Sequence, residues 1–413
     1  MVVVRLVLWA ATGAPAPVAD DQHDYLSLRD GLLATGRLLA PATGLPTAFR
    51  DPGWPAFLAA LAAVAGRSIH AIVLAQVLLQ AITGALLVDL ARRSLGTRAA
   101  RVTAVLYLFD LSFATYTLFV YTESLAALAL VAFAWSHVAL GARQAPRGAA
   151  AAGALAGALG LVRASALPLA PAFALGSASI EPVRARAWII AGLAMGLVLG
   201  AWSARNHAAL GTWSLNTNGA MNAYIGNNEH TPLVHGYRAM TDSAVWQPFA
   251  GLSESARAAR ASRLAWAFVR SHPGLSALRA LARLPDALEP DRMFLGLARR
   301  GQFPARPSGL LMLLGLAILA ATLVPMVLAF SAVLAPPAHP IARAGAATFA
   351  AALLLQALTI AHPRFTQPAW LMLLPGAAVA WVELRAGNRA RLVATAVSAL
   401  ALGAIAVRQL VLR

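Results

Sequence analysis

Long apolar runs separated by short polar connections fill most of the chain and predict membrane-crossing helices. The runs lie near 69–91, 102–119, 124–142, 148–162, 165–179, 187–204, 309–335, 344–361, 367–383 and 391–408. With a rise of about 1.5 Å per residue, about 20 residues cross a hydrocarbon core roughly 30 Å thick. The runs 148–162 and 165–179 are short and meet at Val162, Arg163 and Ala164, which predicts steeply cut helices or a broken hairpin. The opening run, Val2 to Thr12, contains Arg5 and reaches only about 16 Å. It reads as a span cut short at its start in preference to a signal peptide, because a charged n-region is missing and the apolar run is interrupted.

Two stretches depart from this pattern. Within 14–55, residues 24–36 place Tyr25, Leu28, Leu32 and Leu33 at helical spacing, as in a helix lying on a membrane surface. Pro52, Gly53 and Pro55 break that helix before an apolar segment, 56–65, too short to span and expected at the interface. The interval 205–306 is polar enough to be extramembrane and carries an amphipathic segment from Ser253 to Val269. The predicted fold class is an all-α polytopic membrane protein with about ten to eleven transmembrane helices. Residues 1–383 read as one catalytic module, and 384–413 as a cytoplasmic connection and last helix.

Composition agrees: 59% of residues are hydrophobic and 12% charged, against roughly 25% charged in soluble domains. A β-barrel would show short alternating segments instead. The absence of cysteine excludes disulfides and thiolate metal sites. A net charge of +17 would suggest nucleic acid in a soluble chain, but here the arginines concentrate in the connections. Arg92, Arg93, Arg98 and Arg101, then Arg143 and Arg147, Arg184 and Arg186, and Arg385, Arg389 and Arg391 mark cytoplasmic loops. Tyr121 to Ser124 and His362 to Gln367 then fall on the other side, and no nucleic-acid partner is expected.

Acids are scarce, 16 in 413 residues, so the grouping of Asp20, Asp21, Asp24, Asp30 and Asp51 before the first long run is informative. Asp21 stands four residues before Tyr25; Arg50, Pro52, Gly53, Trp54 and Pro55 follow. Glu123 opens a later span, Arg205 and Asn206 precede an Asn- and Gly-rich stretch, and His362, Arg364 and Phe365 lie near a late helix. In this order the set resembles the GT-C membrane glycosyltransferases, specifically the dolichyl-phosphate-mannose protein mannosyltransferase group and its bacterial relatives that use polyprenyl-phosphate sugars. The resemblance covers nearly the whole chain. It implies an enzyme of a bacterial inner membrane that moves a sugar from a polyprenyl-phosphate donor to a lipid, glycan or protein acceptor on the external, periplasmic face. The family's essential aspartate corresponds to Asp21, with Tyr25 completing the motif, and its later external acid to Glu123. Gln22 stands where relatives often carry a second acid, a departure from any two-carboxylate or metal-bridging arrangement.

An acceptor hydroxyl is a weak nucleophile, and an ionised carboxylate within hydrogen-bond reach can take its proton; Asp21 is the candidate base. The phosphate leaving group needs cations more than a general acid, and Arg50, Arg163, Arg205 and Arg364 sit at expected external helix ends. The plain structural reading of any one of them is a snorkelling interface arginine. Glu123 either orients the acceptor or Asp21, or is an N-terminal helix acid favoured by the dipole. Asp110, inside an apolar run, reads as a buried carboxyl hydrogen-bonded to Ser112 or Tyr107. Asn206, Asn216, Asn218, Asn222, Asn227 and Asn228 suit sugar hydroxyls, while Asn218-Gly219 and Gly226-Asn227 read more simply as turns. His362 and the other histidines lack metal-ligand spacing, so no metal site or cofactor is expected. A transporter or flippase, or a silent scaffold, are the competing readings; no inverted halves are visible to support transport.

Overall fold

The computed structural model describes residues 1–140, 145–177 and 185–411; Arg143 and Arg184 lie outside the described residues. Each expected run contains helix, but 102–119 breaks at Asp110 and 165–179 and 367–383 are interrupted; among the described residues the extended pairing is limited to an isolated bridge between Leu39 and Pro46. Two expected runs share one element, Ile69–Phe109, bent at Gly96, whose φ of 85° is open to glycine without strain. Among the described helices five are long and apolar enough to cross a membrane, or six if Pro363–Leu371 and Leu374–Arg385, bent by 69°, form one span. The expected ten to eleven is approached only by counting the shorter apolar helices, such as Glu123–Ala139 and Pro146–Val162, with the long ones.

Small residues set the closest helix contacts. A Cβ on Gly153 of Pro146–Val162 would stand 2.1 Å from the Ala191 carbonyl oxygen of Ala185–Leu210. The two backbones therefore meet as small-residue faces do in membrane helix pairs. Gly153→Val is expected to lower stability by about 1–3 kcal/mol through overpacking, read as a lower midpoint of thermal aggregation in detergent; an unchanged midpoint would mean the pair separates without cost.

The helix Asp21–Thr35 begins where Asp20 accepts a hydrogen bond from the Gln22 amide, and Asp21 and Asp24 occupy its first turn, where the dipole favours acids. Gln22 is fully buried: its side-chain oxygen accepts from the Val120 N–H at 3.0 Å and its amide donates to Gln302 at 2.9 Å. The departure at this position is thus a tether for the helix. Pro52 caps Gly53–Ala65, and a Cβ on Gly53 would stand 2.9 Å from the Leu161 carbonyl oxygen. That close approach lays Arg50 and Asp51 beside the break at Arg163, which is extended (φ −157°) between Val162 and the turn from Ala164.

Asp110 departs from expectation. It caps the short helix Leu111–Thr115 and accepts from the Trp370 indole at 3.0 Å, while Tyr107 donates instead to the Gln80 carbonyl. The Asn-Gly and Gly-Asn pairs read as turns instead bracket a helix, Asn218–Gly226. The amphipathic segment is confirmed as Glu254–Ser271, capped by Ser253. The following helix, Pro273–Leu288, buries Arg279, Arg283 and Asp286 and exposes Leu275, Leu278 and Leu281, the reverse of a water-facing helix. Its arginines hold carbonyl groups, Arg279 that of Asn228 at 2.9 Å and Arg283 that of Ala357 at 2.7 Å.

Candidate active site

At one end of the bundle, three arginines from distant parts of the chain meet three carboxylates. Arg50 donates to Asp21 at 2.6 Å and to Asp24 at 2.7 Å. Arg364, in the first turn of Pro363–Leu371, donates to the second oxygen of Asp21 at 2.9 Å and to Glu123 at 2.6 Å. Arg163 donates to the same Glu123 oxygen at 2.5 Å and to Thr122 at 2.6 Å. Charges of opposite sign thus alternate from Asp24 through Arg50, Asp21, Arg364 and Glu123 to Arg163. Aromatic faces support the cations: the Arg364 guanidinium lies 3.8 Å from the Tyr121 ring centroid and that of Arg50 5.6 Å from the ring of Tyr25.

A cavity of about 460 Å³ opens on this chain, lined among others by Asp21, Tyr25, Arg50, Asp51, Arg163 and Arg364. Asn216, Asn218 and Asn222 line the opposite wall. Glu123 is fully buried and is not among the lining residues; it stands behind Arg163 and Arg364 and positions them. The Nη1 group of Arg163 is buried without a hydrogen-bond partner, a free donor beside the cavity.

Burial raises the Asp21 carboxyl, but the charges of Arg364 and Arg50 outweigh it and bring the pKa to about 2. Asp51 behaves oppositely: burial pushes it to about 6, although Asn216, the Ala164 N–H, Arg163 and Arg50 all act to lower it. Its two oxygens accept from Ala164 at 3.1 Å and Asn216 at 2.7 Å, so it ties the Arg50 loop to the Arg163 break and to the amide-rich stretch. Because its folded value lies above 3.8, folding favours the protonated form; the stabilising share is present below pH 3.8 and lost as pH rises through about 6. The thermal midpoint of the protein relative to that of Asp51→Asn should therefore rise as pH is lowered from about 8 to about 5. A difference independent of pH would show that Asp51 does not titrate in this range.

Of the residues singled out in the sequence, Asp21, Tyr25, Arg50, Arg163, Arg364 and Glu123 come together. His362 caps Pro363–Leu371 by accepting from the Arg364 N–H at 3.1 Å and so orients Arg364 from behind; burial first, and Arg364 next, hold it neutral with a pKa of about 4. Arg205, Asn206 and Asn227 do not line the cavity. Arg205 donates to the Thr47 carbonyl at 2.9 Å, Asn206 to that of Ser214 at 2.9 Å, and Asn227 to those of Ala223 and Leu358 at 2.9 Å. Backbone carbonyls of loops and of helix ends thus take up these side chains. Asp51 was not singled out as a site residue, although its place next to Arg50 in an acid-poor chain is a legible signal. Phe49, Met240 and Trp246, which also line the cavity, carry none.

Residues 50–203 match the family model described as dolichyl-phosphate-mannose-protein mannosyltransferase. That match covers less than half of the chain. Among solved structures, ArnT from Cupriavidus metallidurans bound to undecaprenyl phosphate matches at 15% identity and a TM-score of 0.43, over 92% of this chain and 76% of that one. The same protein in the apo state matches at 16% identity and a TM-score of 0.44, over 92% and 76% of the two chains. The archaeal oligosaccharyltransferase AglB from Archaeoglobus fulgidus, in complex with an inhibitory peptide and a dolichol-phosphate, matches at 13% and 0.46, over 97% of this chain and 54% of that one. Comparison with curated proteins gives no match. The matched segment includes Arg50, Asp51, Glu123 and Arg163, whereas Asp21 and Arg364 lie outside it.

Proposed function

We propose that this membrane protein is a glycosyltransferase that moves a sugar from a polyprenyl-phosphate donor to an acceptor hydroxyl, with Asp21 as the general base. The observation that carries the reading is the meeting of Arg50, Arg163 and Arg364 with Asp21 on one cavity. Guanidinium groups match phosphate oxygens in geometry and charge, and the unpartnered Nη1 of Arg163 offers a donor already desolvated. The family match over residues 50–203 supports the same reaction class.

The resting carboxylate of Asp21, with a pKa of about 2, is a weak base. A donor phosphate competes with Asp21 for Arg50 and Arg364, and sharing these cations raises the carboxyl toward the range of a working base. The acceptor oxygen then attacks the anomeric carbon, the bond from that carbon to the phosphate oxygen breaks, and the hydroxyl proton passes to Asp21. The leaving polyprenyl phosphate keeps the electron pair and stays on the arginines, which stabilise the charge that develops there. Glu123 touches neither reactant; it holds Arg163 and Arg364 in place. In this reading the site faces the periplasmic side of a bacterial inner membrane, and the reaction requires no cofactor.

The test is transfer of labelled sugar from a panel of polyprenyl-phosphate sugars to total cell-envelope acceptors by the purified protein in nanodiscs. Transfer with at least one donor supports the reading. Folded protein that binds polyprenyl phosphate yet transfers nothing from any donor would sink it and favour lipid transport.

A further inference from the structure

A second cavity, of about 500 Å³, lies against the first and shares Phe49, Met221 and Trp246 with it as a common wall. Its own lining adds Phe249, Glu254 and Arg257, so its character is aromatic and polar, unlike the hydrocarbon-lined cleft between Ser308–Leu334, Pro340–Leu358 and the last helix. It is also a built feature. Glu254 accepts from the Thr47 hydroxyl at 2.6 Å, the Ala48 N–H at 2.9 Å and the Thr217 hydroxyl at 2.9 Å, and Thr217 donates its N–H to the Ala48 carbonyl at 3.0 Å. These bonds lock the loop before Arg50 to the segment after Ala185–Leu210, so the floor stands ready before any ligand arrives.

The first cavity holds the cations and carboxylates suited to the donor phosphate. A hydroxyl that reacts there must arrive from a neighbouring space, and the second cavity has Phe49, Met221 and Trp246 in common with the one that Asp21 and Arg50 line. We infer that the second cavity, which shares Phe49, Met221 and Trp246 with the first, is the acceptor site and that it takes an acidic glycan, with the sugar ring on the indole of Trp246 and the acidic group on Arg257. The inference rests on the glycosyl-transfer reading above. Trp246 is 41% exposed, and its indole N–H is held by the Met240 carbonyl at 2.8 Å, which fixes the ring with a face available for stacking. Both carboxylate oxygens of Glu254 are spent on Thr47, Ala48 and Thr217. Arg257, exposed one turn into the same helix, is left as the charge that meets a ligand, and it selects for an anion. A purely apolar acceptor has no counterpart for this arginine.

The experiment uses the full chain in nanodiscs, with a phosphorylated envelope oligosaccharide and its dephosphorylated counterpart as probes, titrated by calorimetry, beside the variants Ala258→Trp and Arg257→Glu. Ala258 lines the second cavity and not the first, so the tryptophan fills the proposed acceptor space alone. The phosphorylated probe should bind at least tenfold more tightly than the other, and each variant should weaken it at least tenfold while affinity for polyprenyl phosphate is unchanged. Equal affinity for both probes, or binding untouched by both variants, would overturn the inference. If the protein binds the acidic probe as expected but transfers no sugar from any donor, the acceptor cavity stands and the glycosyl-transfer reading falls. If it transfers sugar while Ala258→Trp transfers at the unaltered rate, the activity stands and this cavity is not the acceptor site.

Discussion

Asp21→Asn should lower sugar transfer by about 10²- to 10⁴-fold, the usual contribution of a positioned general base, while binding of polyprenyl phosphate is kept or becomes tighter. The amide is nearly isosteric, so the helix Asp21–Thr35 keeps its start, whose cap is Asp20. What changes is charge: Arg50 loses one of two carboxylates and Arg364 one of two, which leaves both cations freer for a phosphate. A rate lost without weaker binding means that an interaction made only in the transition state has been removed. The neighbours supply the control. Asp20→Asn keeps a good N-cap residue and loses ion pairing only with Arg300, and Asp24→Asn removes the second partner of Arg50. Both should stay within about tenfold of the parent rate. Equal losses in all three variants would show that the acidic cluster acts through its total charge and that Asp21 is not the base.

Arg364→Ala should be the most damaging single change to the folded state, at about 3–5 kcal/mol, seen as a collapse of the thermal midpoint in detergent. Glu123 is fully buried, and without Arg364 its charge is compensated by Arg163 alone. Tyr121 would also lose the guanidinium stacked on its ring at 3.8 Å. The double variant Arg364→Met with Glu123→Gln removes both charges of that pair but leaves Arg163 without its acid, so it should recover only part of the stability and none of the transfer. If Arg364→Ala melts like the parent protein, water reaches Glu123 and the alternating chain of charges does not hold this end of the bundle together.

The helices were legible because a membrane span is a local property: length and apolarity in one window fix it. The helix near Tyr25 and the amphipathic segment after Ser253 were legible from the spacing of their apolar positions. The turn reading at Asn218 and Gly226 failed because those residue types also serve helix ends, and local chemistry does not distinguish the two uses. Asp110 failed for a different reason. Its partner, Trp370, lies 260 positions away, beyond any periodic signal.

The same limit divides the site. Asp21, Arg50, Glu123, Arg163 and Arg364 were named from order and residue type, yet nothing in a window could separate Arg364 from Arg205. The structure joins Arg364 to Asp21 across 343 positions and turns Arg205 toward the carbonyls of Thr47 and Leu38. Sequence by itself determined a helical membrane chain with its acids gathered in an early loop, because hydrophobic length and charge scarcity are carried residue by residue. Tertiary structure alone decided which cations share the cavity, that Glu123 stands behind them, and that Asp51 is buried enough to titrate near neutrality. Those outcomes depend on desolvation and on charges only a few ångströms apart, and both quantities exist only once distant segments have packed.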